Sequence, residues 1–301
     1  VIYQVRHRTT YAYESEVSFA RCVLRLTPRS SATQTVLETG LEVTPEPILA
    51  FDRLGPFGEM TTTVVIETPH KALVINARAR VDVHSPPSRL DFGAAWEGVR
   101  AQALRAPDLG PVGPANFLYP SARAPLAPAI TAYARASFPP ARGVVDAATE
   151  LMGRMRRDFA YDGEATDVST APLEAFEARR GVCQDFAHIM ICGLRGLGLP
   201  ARYVSGFLRT YPPPGRPRLD GADATHAWVC LWCGEDTGWI GFDPTNDVLA
   251  QDDHIVLASG RDYADVAPID GIILAPGKQT LDVEVDVVPE SELTTPRLAF
   301  G

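Results

Sequence analysis

Alternation is the feature that most restricts how this chain can fold. In VIYQVRHRTTY, residues 1–11, the odd positions Val1, Tyr3, Val5, His7, Thr9 and Tyr11 form one row, while Gln4, Arg6 and Arg8 fall in the other. Side chains alternate in this way along a strand that buries one face. LVINARARVDV repeats the pattern with Leu73, Ile75, Ala77, Ala79, Val81 and Val83. A helix would scatter these residues around its axis, so the first 85 or so residues are expected to form a half-buried antiparallel sheet. SSATQTVLETGLEVTPEP and GEMTTTVVIETPHK add strand candidates that end at turn residues. Near the end of the chain QTLDVEVDVVPE alternates again and predicts a last strand.

Helical spacing takes over in the middle. Val145, Ala148, Met152 and Met155 predict a packing helix over residues 144–157. A second helix is expected in RRGVCQDFAHIMICGLRGLGLP, with Phe186, Ile189, Met190 and Gly193 on its packing face and glycine and proline at its exit. Three strand candidates follow: ARYVSGFLR, THAWVCLWC and GWIGFD. Between Pro86 and about Gly143 the composition shifts to alanine, proline and arginine, which predicts a connection with short helices. The expected organisation is α+β: a β domain over 1–110, a connection over 111–143, and a helix packed on antiparallel strands, with the last strand, over 144–301.

A formal charge of −9 argues against a broad nucleic-acid surface. No apolar run approaches the roughly 18 residues that indicate a membrane span, and the first residues lack a signal-peptide pattern. A cytoplasmic protein with no nucleic-acid or membrane partner is therefore expected. The five cysteines, Cys22, Cys183, Cys192, Cys230 and Cys233, are too irregularly spaced for a secreted disulfide scaffold.

Chemistry concentrates around Cys183. A core cysteine is the common case, but this one follows Gly181 at the start of a helix, with Asp185 placed to satisfy amides of the first turn. The positive end of the helix favours thiolate over thiol. Of the histidines that could take the proton, His188 lies in the same helix and points elsewhere, His254 is little constrained by local pattern, and His226 opens a strand. His226 is the preferred base, and Asp243 at the end of the next strand could fix its second nitrogen. By alternation Trp228 and Trp232 share the face of His226, making them candidate walls of a substrate cleft. Local pattern alone leaves packing and ordinary polar contacts as a live alternative to this triad.

The combination of RRGVCQDFAHIMICGLRGLGLPARYVSGFL, THAWVCLWC and GWIGFDPTN resembles the core of the bacterial transglutaminase-like superfamily, a branch of the papain-like cysteine enzymes. YQVRHRTTYAYESEV, LRLTPR and DRLGPFG resemble the all-β domain that precedes this core in one bacterial subgroup. The resemblance implies Cys183 as nucleophile, His226 as base and Asp243 as orienting carboxylate, with no metal or cofactor. It implies a protein or peptide amide as substrate and either a primary amine or water as acyl acceptor. The oxyanion donors are left open among the Cys183 backbone N–H, Gln184 and Tyr161. A binding module built on the β domain, with no catalysis, is the non-enzyme alternative.

Other motifs carry less. In Cys230-Leu231-Trp232-Cys233 the cysteines sit three apart on a strand and point to opposite faces. FDPTNDVLAQDDH lacks the ligand spacing of an EF-hand. Arg154, Arg156 and Arg157 have no aromatic platform and are expected on a solvated helix face.

Overall fold

A computed structural model describes residues 1–84, 94–211, 221, 223–274 and 276–293. The proline-rich sequence that follows Thr210 falls largely outside them. In chain order the first strands are β1 (Ile2–Val17), β2 (Phe19–Leu24), β3 (Gln34–Thr44), β4 (Leu49–Leu54), β5 (Met60–Ile66) and β6 (His70–Val83). Then come α1 (Trp96–Ala103), α2 (Pro128–Arg135), α3 (Val144–Asp158), β7 (Ala160–Tyr161), α4 (Pro172–Ala178), β8 (Arg180–Gly181) and α5 (Cys183–Gly196). The remainder is β9 (Ala201–Leu208), β10 (Ala224–Trp232), β11 (Trp239–Asp243), β12 (Val248–Leu249), β13 (His254–Gly260), α6 (Tyr263–Val266), β14 (Ile269–Leu274) and β15 (Gln279–Pro289). The class is α+β, an all-β region ahead of a mixed core.

The alternating segments become neighbours. β1 lies between β6 and β15, with Val5 opposite Ala79 on one side and Val287 on the other. The order β15-β1-β6-β3 makes one sheet, and β14-β2-β5-β4 makes a second. The single apolar face of β1 and β6 is used twice. Tyr13, Leu73, Ile75 and Ala77 pack with Cys22, Leu24, Val64 and Ile66 of the second sheet. Tyr3, Val5, Ala79 and Val81 pack instead with Phe207 of β9 and with Ile255 and Leu257 of β13. A strand of 16 residues extends roughly 50 Å, long enough to serve both partners.

α1 contributes Trp96 and Val99 to the same core as α2, α3 and α5, and β14 and β15 return to complete the two N-terminal sheets. The turn after β4 also reaches across: Phe57 lies 5.3 Å from Phe117, which meets Trp239 at 5.4 Å.

The third sheet runs β12-β11-β10-β9-β13, all antiparallel. α5 packs against it through Phe186, Ile189, Met190 and Leu194, with Ala227, Val229 and Phe242 in the same core. Near the helix exit the buried Arg195 donates to the carbonyls of Phe117, Ala201 and Arg261. One buried charged side chain thus spends its N–H groups on three backbone carbonyls.

Candidate active site

The start of α5 is built as its sequence suggests. Asp185 accepts from the backbone N–H of Val182 at 2.8 Å and from the hydroxyl of Thr166 at 2.6 Å, closing the first turn. Gly181 is needed for that closure, since a Cβ there would stand 2.5 Å from the Asp185 carboxylate. Cys183 opens the helix, partly exposed where Cys22, Cys192 and Cys233 are buried. It is a free thiol at the positive end of a 14-residue helix.

His226 and Asp243 come together as expected from adjacent antiparallel strands. The register sets Val229 opposite Phe242, which carries Asp243 along β11 toward the histidine. His226 Nε2 lies 2.8 Å from Asp243 Oδ2. With that nitrogen committed, Nδ1 is the ring atom left for the thiol, and Cys183 lies close enough to bear on the charge of the imidazole. Burial disfavours the imidazolium, yet the bonds and charges of Asp243 and Cys183 together prevail and raise His226 to about 9. Burial likewise opposes the Asp243 carboxylate, but His226, His254 and Asn246 hold it well below the usual carboxylate range.

The surroundings of Asp243 exceed what the sequence pattern suggested. Oδ2 also accepts from Asn246 Nδ2 at 2.7 Å and lies 3.1 Å from His254 Nε2. Oδ1 accepts the backbone N–H of Thr245 at 3.0 Å and of Asn246 at 3.3 Å. Asn246 was legible in principle, because the turn Asp243-Pro244-Thr245-Asn246 folds a carboxylate over the amides that follow it. His254 was not, because it arrives on β13, whose pairing with β9 no local pattern specifies.

Among the described residues, His226, Asp243 and His254 form a group whose possible ligand atoms all lie within 4.8 Å of one another. Their donor chemistry suits hydrogen bonding better than metal binding. Two imidazole nitrogens and an amide already converge on one carboxylate oxygen, and a cation at that point would require the Asn246 amide to turn away.

Trp228 and Trp232 do not wall an open cleft, and that expectation is corrected. Trp228 is 1% exposed and lies behind the histidines, stacked on His226 at 6.1 Å and edge-on to His254 at 5.1 Å. Room for its ring comes from Gly206, where a Cβ would stand 2.5 Å from the indole. Trp232 is 6% exposed and belongs to the main core with Trp96 and Val99. Four strand residues separate the indoles by roughly 13 Å, so a shared face does not bring both to the same histidine.

The other candidates are placed as follows. Gln184 donates its amide to the Val168 carbonyl at 3.4 Å. Tyr161 is exposed, its phenol raised by partial burial and by the neighbouring Cys183. His188 faces away, accepting from the backbone N–H of Tyr263 at 3.2 Å.

Residues 3–82 match the bacterial transglutaminase-like N-terminal region, and residues 126–244 match the transglutaminase-like superfamily. An uncharacterised protein of Mycobacterium tuberculosis strain H37Rv is 40% identical over 296 residues, spanning 95% of this chain and 92% of the relative. A protein-glutamine gamma-glutamyltransferase of Pseudomonas aeruginosa is 35% identical over 99 residues, 31% of this chain and 15% of that protein. The crystal structure of a candidate cysteine protease from Cytophaga hutchinsonii superposes with a TM-score of 0.71 at 20% identity, covering 99% of this chain and 93% of that one.

Proposed function

The chain belongs to the bacterial transglutaminase-like superfamily, and on that footing we propose that it transfers the acyl group of a protein or peptide amide to an amine through a Cys183 thioester. The observation that carries this reading is the buried His226–Asp243 pair at 2.8 Å, with the partly exposed Cys183 thiol at the start of α5 acting on the same imidazole. His226 Nδ1 takes the thiol proton, and the thiolate adds to the amide carbonyl. The imidazolium then returns that proton to the leaving nitrogen as the C–N bond breaks, leaving a thioester and a free amine. An incoming amine attacks the thioester, His226 accepts its proton, and the thiolate departs.

Asp243 keeps Nε2 as the donor and stabilises the imidazolium formed in each half of the cycle. Negative charge on the carbonyl oxygen is met first by the Cys183 backbone N–H at the start of α5. Tyr161 is the better second donor, since its phenol is exposed beside Cys183. Gln184 instead spends its amide on Val168, which ties the 166–170 segment to the helix start.

Water as acceptor would make the same machinery a cysteine protease or amidase. Burial of both indoles removes one argument for water exclusion, so the acceptor has to be read from products. Incubation with glutamine-containing peptides, with and without a primary amine, followed by product masses, separates the cases. Amine addition supports transfer, whereas deamidation or backbone fragments formed in its place move the assignment to hydrolysis. Absence of every Cys183-dependent product would reject acyl chemistry and favour the noncatalytic binding module.

A further inference from the structure

Resting on that acyl-transfer reading, we propose that His254 is a positioning residue, whose Nε2–H donates to Asp243 Oδ2 and thereby orients and tunes His226 through the shared carboxylate. The two imidazoles approach one oxygen, at 2.8 Å from His226 and 3.1 Å from His254, with ring centroids 6.1 Å apart. Trp228 touches both rings from behind. The pair is therefore bridged twice, by a carboxylate at its polar edges and by an indole at its faces. An oxygen that divides its lone pairs among three donors binds each less strongly than it would bind one alone. His254 thus limits how tightly Asp243 holds the His226 imidazolium, keeping that group acidic enough to give its proton to a leaving amine.

The placement of His254 is set from outside the catalytic sheet. Its neighbour Asp253 accepts the Tyr3 hydroxyl at 2.8 Å and the Tyr211 hydroxyl at 2.8 Å, with Arg209 at 3.8 Å. On the other side Ile255 is buried among Tyr3, Val5, Val285 and Val287 of the N-terminal sheet. The titratable groups around the carboxylate are His226 from β10, with Cys183 of α5 beyond it, and His254 from β13, with Asp253, Arg209, Tyr3 and Tyr211 behind it. Asp253 is turned to those tyrosines and the arginine, so the direct influence of β13 on Asp243 passes through the imidazole.

The test reads the imidazoles themselves. In ¹⁵N-histidine-labelled wild type, His254 is expected as the Nε2–H tautomer, and an Nδ1–H tautomer would overturn the proposal without any variant. His254→Leu removes the donor, while His254→Gln keeps an amide N–H at similar reach. The His226 titration midpoint and the alkaline limb of Cys183 alkylation should rise by about half a pH unit in H254L and return close to wild type in H254Q. Acylation at neutral pH should fall about tenfold in H254L and recover in H254Q. Equal midpoints in wild type and H254L, or the same loss in both variants, would reduce His254 to packing and refute the proposal. If wild type forms no acyl products the acyl-transfer reading falls, yet the titration and alkylation readouts still decide the role of His254.

Discussion

Asp243→Asn changes one atom and reverses its hydrogen-bonding sense. The carbonyl oxygen can remain on the backbone amides of Thr245 and Asn246, which places the new NH₂ where Oδ2 now meets His226, His254 and Asn246. Donors would then face donors, and His226 could relieve the conflict only by moving its proton to Nδ1, the nitrogen needed to receive the thiol proton. Wild-type His226 sits at about 9 against an ordinary 6.5. Loss of the carboxylate removes the larger part of what offsets burial and leaves Cys183 alone to oppose it, so the expected drop is on the order of that difference. At about 1.4 kcal/mol per pH unit this is roughly 3.5 kcal/mol, or about 300-fold in the proton affinity of the imidazole. The assay is iodoacetamide alkylation of Cys183 followed by intact mass across pH 5 to 10. The alkaline limb should move from about 9 toward 6.5, with acylation falling as it does. A D243N profile that overlays wild type would refute the assigned role of the carboxylate.

Brief alkylation of native protein at neutral pH should mark Cys183 and spare the other four cysteines, because burial pushes the thiols of Cys22, Cys192, Cys230 and Cys233 upward, to about 11 and about 12 for the first two. Peptide mapping that finds another cysteine labelled at the same rate would contradict this, and C183A should take up no label. Stability should fall between about pH 6.5 and 4: burial holds His7 and His188 at about 4, so the unfolded chain binds more protons throughout that window. Each histidine contributes a slope of up to about 1.4 kcal/mol per pH unit, and urea midpoints unchanged between pH 7 and 4.5 would count against it. His226 has the opposite sign, its contribution being complete below 6.5 and lost as pH rises through about 9. Gly206→Ala should cost about 1–3 kcal/mol and slow acylation, since the added methyl meets the Ile255 carbonyl and the Trp228 ring behind His226; wild-type urea stability and rate would show that the indole yields freely.

Sequence legibility followed the range of the interactions. The helix start at Cys183, the need for Gly181 and the closing bond from Asp185 all lie within five residues and could be argued from local chemistry. Alternation identified β1, β6 and β15 as half-buried strands, but period two names a face without naming a partner. That β15 would pair with β1, across almost the whole chain, had no local signal. The same limit hid His254, whose role depends on the pairing of β13 with β9, and misplaced Trp232, where a shared strand face stood in for distance.

The return of β15 to β1 has a bearing on how the protein is made. A ribosome delivers β1 and β6 early, but the outer neighbour of β1 emerges only with residues 279–289. For most of synthesis the longest strand therefore carries an unpaired edge, the kind of surface that captures other nascent chains. The third sheet, β9 to β13, can emerge and assemble during that wait. Premature termination after about residue 275 would then leave Cys183, His226 and Asp243 intact in a product whose weakness lies at its opposite terminus. Its clearance by proteases, not any defect in chemistry, would set how much of it accumulates.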